Sequence, residues 1–275
     1  GGMSTAKYEE LNAPEAHNPI FNRALNGLYP AGSTFKPFVA AAALNAGLVT
    51  ADTIFNCTGK FSDSGQSWKC WQTDGHGDLN LVAAIAQSCD VYFYNLGKLL
   101  FEQPTTVLQD GVRLFGFGGM STGIDLPYET NAGRVPDKNW KAASAKTDID
   151  KIWKPGDEIN LAIGQGDLLV TPLQLAVGLS AIANGGTLWV PRLALQITDA
   201  SGNVIHQIES ESRGELDLGE DVLGPIRRGL RLVTSDASGT AYATFRDFPV
   251  VVAGKTGTSE KKPEDDYAFF TAYAP

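Results

Sequence analysis

The strongest constraint on how this chain can fold is the stretch Tyr29-Pro30-Ala31-Gly32-Ser33-Thr34-Phe35-Lys36-Pro37, with the alanine-rich run that follows it to Gly47. Phe38-Val39-Ala40-Ala41-Ala42-Ala43-Leu44 is a good helix former without a polar residue, and a helix apolar on every side has to be buried. Pro30 and Gly32 break any helix ahead of it. Asn45-Ala46-Gly47 ends it, with Gly47 able to take a left-handed cap. Ser33 is therefore expected at the start of a buried helix, and Lys36, three residues on, projects from the same face. Pro37 is tolerated because backbone donors of a first turn have no intrahelical partner. An N-cap serine beside a solvated lysine would also explain Ser-x-x-Lys, so the pair needs support from the rest of the chain.

That support comes from Ser88-Cys89-Asp90 and, near the end, Lys255-Thr256-Gly257-Thr258. The order Ser-x-x-Lys, Ser-x-Asn/Asp, Lys-Thr-Gly is the signature of the penicillin-recognising serine acyltransferases. Tyr29–Pro37, Gly75-His76-Gly77, Ser88-Cys89-Asp90-Val91-Tyr92-Phe93-Tyr94, Thr122-Gly123-Ile124-Asp125-Leu126, Ile163-Gly164-Gln165-Gly166 with Thr171-Pro172, and Ala253-Gly254-Lys255-Thr256-Gly257-Thr258 together resemble the transpeptidase domain of a class B penicillin-binding protein. The resemblance is greatest to the elongation type, the penicillin-binding protein 2 branch, and it covers the chain from about residue 20 onward. It implies an α/β fold, with an antiparallel sheet flanked by helices, an all-helical lobe, and the active site between them. It also implies a membrane anchor and a non-catalytic domain ahead of this segment, and one more strand and a C-terminal helix beyond Pro275. The expected division is a lead-in over 1–28, with Gly1-Gly2-Met3 an added leader, and a transpeptidase domain over 29–275.

A chain of 275 residues can bury one large core or two lobes sharing a cleft. A net charge of −9 argues against nucleic acid as a partner and against a polybasic membrane patch. No apolar run approaches the roughly 18 residues of a membrane span, and no secretory signal is present. Residues 48–77 carry Gly, Ser, Asp and Trp without periodicity and read as a loop lobe. Helices are expected from Asp78 to Ala86, Asp90 to Leu100, Pro104 to Phe115 and Glu220 to Val233. Thr171-Pro172 opens another helix, ended by Asn184-Gly185-Gly186. Residues 119–160 read as largely irregular, a loop long enough to be functional or to dock a partner. Thr187–Thr198 and Val204–Ile208 flank a turn cluster and read as a hairpin. Val250–Ala253 is expected as a buried strand and Tyr267–Tyr273 as a second.

A serine hydroxyl is a poor nucleophile until a base takes its proton. The three histidines, His17, His76 and His206, sit in no Ser-His-Asp pattern, which leaves Lys36 as the base. Burial and a second cation, Lys255, would favour its neutral form. The resemblance implies that Ser33 is the nucleophile and that Ser88 relays a proton to the leaving amine. Asp90 stands where Asn is commoner; being acceptor-only when ionised, it is expected to pair with a lysine. The Lys255-Thr256-Gly257 strand would line the cleft, with Thr256 and Thr258 on the substrate carboxylate and the backbone donors of Ser33 and Thr258 as the oxyanion hole. Gly164-Gln165-Gly166 reads as a structural bend behind the cleft.

Cys57, Cys70, His76 and Cys89 follow the spacing Cys-x12-Cys-x5-His-x12-Cys, four ligand types that suit a structural tetrahedral zinc. The rival is a Cys57–Cys70 disulfide with Cys89 buried and free, which an extracytoplasmic location would favour. Elongation-type relatives resemble this chain in carrying metal-ligand residue types here, some with Asp in place of Cys, which favours zinc; catalysis itself needs no cofactor.

The resemblance thus implies peptidoglycan D,D-transpeptidation at the outer face of a bacterial cell membrane, with stem peptides as substrates and β-lactams as inhibitors. A membrane glycosyltransferase of the elongation machinery is the implied partner. A β-lactamase, a D,D-carboxypeptidase or a β-lactam sensor on the same fold is the alternative. A class A lactamase would need a deacylating Glu-x-x-x-Asn, which is missing where it should stand.

Overall fold

The computed structural model describes residues 2–119, 121–260 and 265–275; the readings at Gly1 and, within the 119–160 loop, at Met120 lie outside them. The lead-in forms α1 (Thr5–Asn12) and the short α2 (Arg23–Asn26). A 3₁₀ turn, Gly32–Phe35, runs directly into α3 (Lys36–Asn45). Residues 48–77, read from sequence as a loop lobe, instead hold four short strands, the last of which runs on to Leu79 where a helix was expected: β1 (Phe55–Cys57), β2 (Lys60–Asp63), β3 (Gln66–Lys69) and β4 (Gly77–Leu79). They pair as β1–β4 and β2–β3, both antiparallel. Helices α4 (Leu81–Ala86), α5 (Asp90–Phe101), α6 (Val107–Arg113), α7 (Lys138–Ser144) and α8 (Pro155–Leu161) follow. Two of these, α7 and α8, give structure to the stretch expected to be irregular.

Helix α9 (Pro172–Asn184) obeys its sequence signals closely: Thr171 and Gln174 form a capping box, Pro172 opens the first turn, and Gly185 closes it in the left-handed region. Next come β5 (Thr187–Trp189), β6 (Gln196–Thr198), β7 (Val204–Gln207) and β8 (Ser212–Glu215). Only β6 and β7 make the expected hairpin, because β5 pairs with β8 around it. Helix α10 (Glu220–Ser235) and the short α11 (Tyr242–Phe245) precede β9 (Ala253–Ser259) and β10 (Tyr267–Tyr273). The buried strand starts three residues later than expected, and Val250 and Val251 are exposed. Strands β9 and β10 pair antiparallel along their whole length, with α10 against β9 and α9 against β10.

Helix α3 is the hub. Its residues Lys36 to Ala43 are all buried, as an all-apolar helix requires. It packs on α5, α6 and α10, and Phe38 meets Phe35, Phe115 and Phe117 at centroid distances of 4.7–5.8 Å. The turn ahead of α3 is fixed to β9 by backbone contact. Gly32 has φ +55°, and a Cβ there would stand 2.4 Å from the Thr258 carbonyl oxygen. Gly32→Ala meets both a conformational and a steric penalty, so we expect it to lower unfolding free energy by about 2–4 kcal/mol in urea titration. A loss below about 0.5 kcal/mol would mean that β9 is not seated on this turn as described.

Candidate active site

Ser33 lies in the 3₁₀ turn, and its hydroxyl caps neither that turn nor α3, so the N-cap explanation of Ser-x-x-Lys fails. Its side chain lines a cleft of about 630 Å³ together with Ser88, Asp90, Thr256, Gly257 and Thr258. All the candidate catalytic and substrate-binding residues except the two lysines therefore reach one surface. Lys36 and Lys255 are fully buried beneath it.

The joint between α4 and α5 presents Ser88 in the left-handed region at φ 55°, unusual for a residue with a Cβ and held by Ser88 N–H to Ile85 O and Cys89 N–H to Ala84 O. This conformation turns both Ser88 oxygens toward Lys36. Lys36 Nζ donates to Ser88 O at 2.8 Å, to Ser88 Oγ at 3.3 Å and to Asp90 Oδ1 at 2.7 Å. Asp90 thus pairs with a lysine, as expected of an acceptor-only side chain. Its other oxygen accepts the Trp71 backbone N–H at 3.0 Å. With three acceptors in place, all the ammonium protons are engaged without Ser33.

Lys255 donates to the carbonyl of Thr256 at 3.0 Å. Burial, first, and the Lys36 charge, second, push it well below the usual lysine range, with Asp90 acting in the opposite sense. The sequence reading has Lys255 as a second cation beside Lys36, and the two lysines lie close enough for the Lys36 charge to act on Lys255. Thr256 Oγ1 lies 2.6 Å from Thr240 Oγ1, and Gln165 Nε2 donates to Thr258 O at 3.4 Å. Thr240 was not singled out in the sequence, where Ser238-Gly239-Thr240 reads only as turn chemistry. Gln165, assigned to a bend behind the cleft, instead lines it beside Ile163.

The ligand atoms of Cys57, Cys70, His76 and Cys89 all lie within 4.8 Å of one another. His76 Nδ1 is 3.5 Å from Cys57 Sγ and 3.6 Å from Cys70 Sγ. A tetrahedral zinc with ordinary Zn–S and Zn–N bonds would set such an edge at roughly 3.5 Å, so the donor set fits that ion. All three cysteines are free thiols, which removes the Cys57–Cys70 disulfide. A hydrogen bond from Cys89 pulls the Cys70 thiol down to about 5, and the same bond, with burial adding to it, pushes Cys89 up.

The family model for the penicillin binding protein transpeptidase domain matches residues 3–275. The chain is 33% identical over 298 residues to the peptidoglycan D,D-transpeptidase MrdA of Haemophilus influenzae, covering all of this chain and 43% of that protein. It is 32% identical to the protein of the same name from Escherichia coli K12, covering 94% of this chain and 40% of the relative. It therefore spans less than half the length of these curated relatives. Among solved structures, PBP2 of Pseudomonas aeruginosa in complex with WCK 5153 superposes with a TM-score of 0.85 at 32% identity, covering 100% of this chain and 59% of that one. PBP2 of Helicobacter pylori in complex with MreC gives 0.81 at 32% identity, covering 99% and 48%.

The depressed Lys255 has a thermodynamic consequence. Between its folded value and the ordinary 10.5, the unfolded chain binds a proton that the folded chain does not, so this group's contribution to stability rises with pH. Lys255→Met removes the cost, so it should unfold at higher urea than the parent protein at neutral pH. The gap should narrow as pH rises toward the lysine range; a gap that widens would contradict the assignment.

Proposed function

The chain belongs to the penicillin-binding protein transpeptidase family, in its PBP2-type branch, and on that premise we propose that it is a serine D,D-transpeptidase that cross-links peptidoglycan stem peptides. The observation that carries this reading is the buried Lys36 ammonium bound to Ser88 Oγ and Asp90 directly under the cleft that Ser33 lines. Ser33 Oγ attacks the carbonyl of the D-Ala–D-Ala bond while its proton passes to the Lys36 amine, which has first handed one ammonium proton to the Asp90 carboxylate it bonds. The backbone N–H groups of Ser33 and Thr258 receive the oxyanion. Ser88 hands a proton from Lys36 to the departing D-Ala amine, leaving an ester on Ser33. An amine of a neighbouring stem peptide then attacks that ester, loses its proton to the same relay, and releases Ser33 as the hydroxyl. Thr256, Gly257 and Thr258 hold the terminal carboxylate, with Lys255 behind them. Residues 29–275 form the catalytic unit, and 1–28 lead into it.

A β-lactam amide entering the same cleft would leave Ser33 acylated without an efficient route to release. Benzylpenicillin should therefore add its full mass to the protein at Ser33, an adduct lasting many minutes and missing in Ser33→Ala. An adduct that turns over within seconds would favour the β-lactamase alternative, and no adduct at Ser33 would remove the acyl-transfer reading.

The relatives suggest the setting. The Helicobacter pylori protein was solved with MreC, and another neighbour, 28% identical with a TM-score of 0.84, belongs to a peptidoglycan synthase complex coordinating polymerization and crosslinking. We place this chain at the outer face of the cell membrane beside a glycosyltransferase of the elongation machinery. No helix among the described residues is long and apolar enough to cross a membrane.

Cys57, Cys70, His76 and Cys89 are assigned to a structural zinc, with no step of the reaction through it. Such an ion would tie together the segments before and after β4. Two of its ligands adjoin the catalytic groups: Cys89 lies between Ser88 and Asp90, and Cys70 precedes the Trp71 N–H that Asp90 accepts. Protein purified without chelator should carry about one zinc per chain and melt at lower temperature once it is stripped. Fewer than about 0.2 zinc per chain would sink the site.

A further inference from the structure

We propose that Trp71, which lies outside all three sequence motifs, is a positioning residue for the acylation step: its indole N–H pins the peptide unit that sets the left-handed conformation of Ser88. The inference rests on the transpeptidase reading above and gives a part in it to a side chain from the loop after β3.

Helix α4 ends in a Schellman arrangement. Ser88 takes the left-handed position that glycine usually fills; its N–H bonds Ile85 O at 3.2 Å, and the Cys89 N–H bonds Ala84 O at 3.0 Å. A residue with a Cβ is strained there, so the conformation persists only where its surroundings hold it. Two peptide units flank Ser88, and each is bound at both ends. The unit after it donates from Cys89 and accepts, at Ser88 O, from Lys36 Nζ at 2.8 Å. The unit ahead of it donates from Ser88 and accepts, at Gln87 O, from Trp71 Nε1–H at 3.1 Å. Three of these four bonds belong to the helix end or to the buried lysine. The fourth reaches across from a separate loop.

Apolar burial does not account for Trp71. The residue is 57% exposed on the cleft wall, with its ring edge-on to His76 at a centroid distance of 5.3 Å. What sets it apart is polar. It has two N–H donors, and both go to the joint between α4 and α5. The backbone N–H bonds Asp90 Oδ2 at 3.0 Å and the indole N–H bonds Gln87 O, so one residue grips the chain on both sides of Ser88. Gln87 O is a helix-end carbonyl with no further turn of helix to bond it. Without the indole it turns to water, and the Gln87–Ser88 peptide can rotate toward the commoner backbone states. Ser88 O and Oγ then swing away from Lys36, and the proton route from base to leaving group is broken.

The test separates affinity from chemistry in the acylation of Ser33 by benzylpenicillin, followed by quenched-flow mass spectrometry over a range of concentrations. Trp71→Phe keeps the backbone donor and an aromatic ring on the cleft wall and removes the indole N–H. Its limiting acylation rate should fall roughly tenfold, the scale of one lost hydrogen bond, while the dissociation constant of the reversible complex stays within about twofold of the parent's. Trp71→His carries an Nε2–H at the matching place on its five-membered ring and should restore most of the rate above about pH 7, where imidazole is neutral. A limiting rate that holds while the dissociation constant rises makes Trp71 a cleft-wall contact. A smaller fraction of protein acylated at the parent rate makes it a merely structural residue. Either result overturns the inference, as does a Trp71→His variant no faster than Trp71→Phe. A parent protein that benzylpenicillin does not acylate removes the transpeptidase reading itself, a result distinct from an unchanged rate in the variants.

Discussion

The architecture depends on how one buried cation is satisfied. Lys36 has no exposed side-chain surface, and an ammonium out of water is costly unless acceptors surround it. Here the acceptors are a carbonyl, a hydroxyl and a carboxylate, all from the joint between α4 and α5. That arrangement works only if α3 and the joint meet with little tolerance, and only if Ser88 takes a left-handed conformation that other geometry would not ask of it. The apolar faces of α3 bring the two together; the lysine then fixes their register. A second lysine in the same interior could not find an equivalent partner, and Lys255 is displaced toward its neutral form instead.

The distance between Ser33 and β9 is set by main chain. Gly32, ahead of Ser33, lies against the Thr258 carbonyl; Gly164 lies against Gly32, whose N–H bonds the Gly164 carbonyl; and Gly257 lies against Thr34. Side chains can change rotamer, but backbone packed on backbone cannot adjust without moving whole elements. Pre-organisation on this scale would suit the proposed reaction, in which backbone N–H groups receive the oxyanion.

The parts of this design that were legible in sequence are those with strong local signals. The all-apolar α3 could only be buried, and the capping box at Thr171 with Gly185 beyond it marked both ends of α9. Ser33, Lys36, Ser88, Asp90 and Lys255 stood in motif order, and the geometry gathers them. What was not legible has physical causes. Strands β1 to β4 are three or four residues long and mostly solvated, too short for an alternating pattern to stand out in the sequence. Val250 and Val251 look like core by composition, yet they precede the strand on an exposed loop. Thr240 sits among turn residues whose small polar side chains serve the turn, and nothing local distinguishes the one hydroxyl that reaches Thr256. Gln165 looked like part of a glycine bend because its neighbours are glycines; only the fold shows that the bend aims it at Thr258.

The Cys/His cluster bears on the same constraint from the opposite side. Asp90 holds Lys36 through one oxygen and is held by the Trp71 N–H through the other, so the carboxylate is fixed only as well as the loop after β3 is fixed. That loop is short on regular structure: Trp71 is largely exposed, and residues 71–76 lie between strands that pair with different partners. Apolar packing has little to grip there. The proposed zinc on Cys57, Cys70, His76 and Cys89 would tie the loop to the residue between Ser88 and Asp90, replacing missing packing area with a few strong directional bonds. Small, polar, strand-poor segments are where such cross-links are most effective, because they have the least hydrophobic stabilisation of their own.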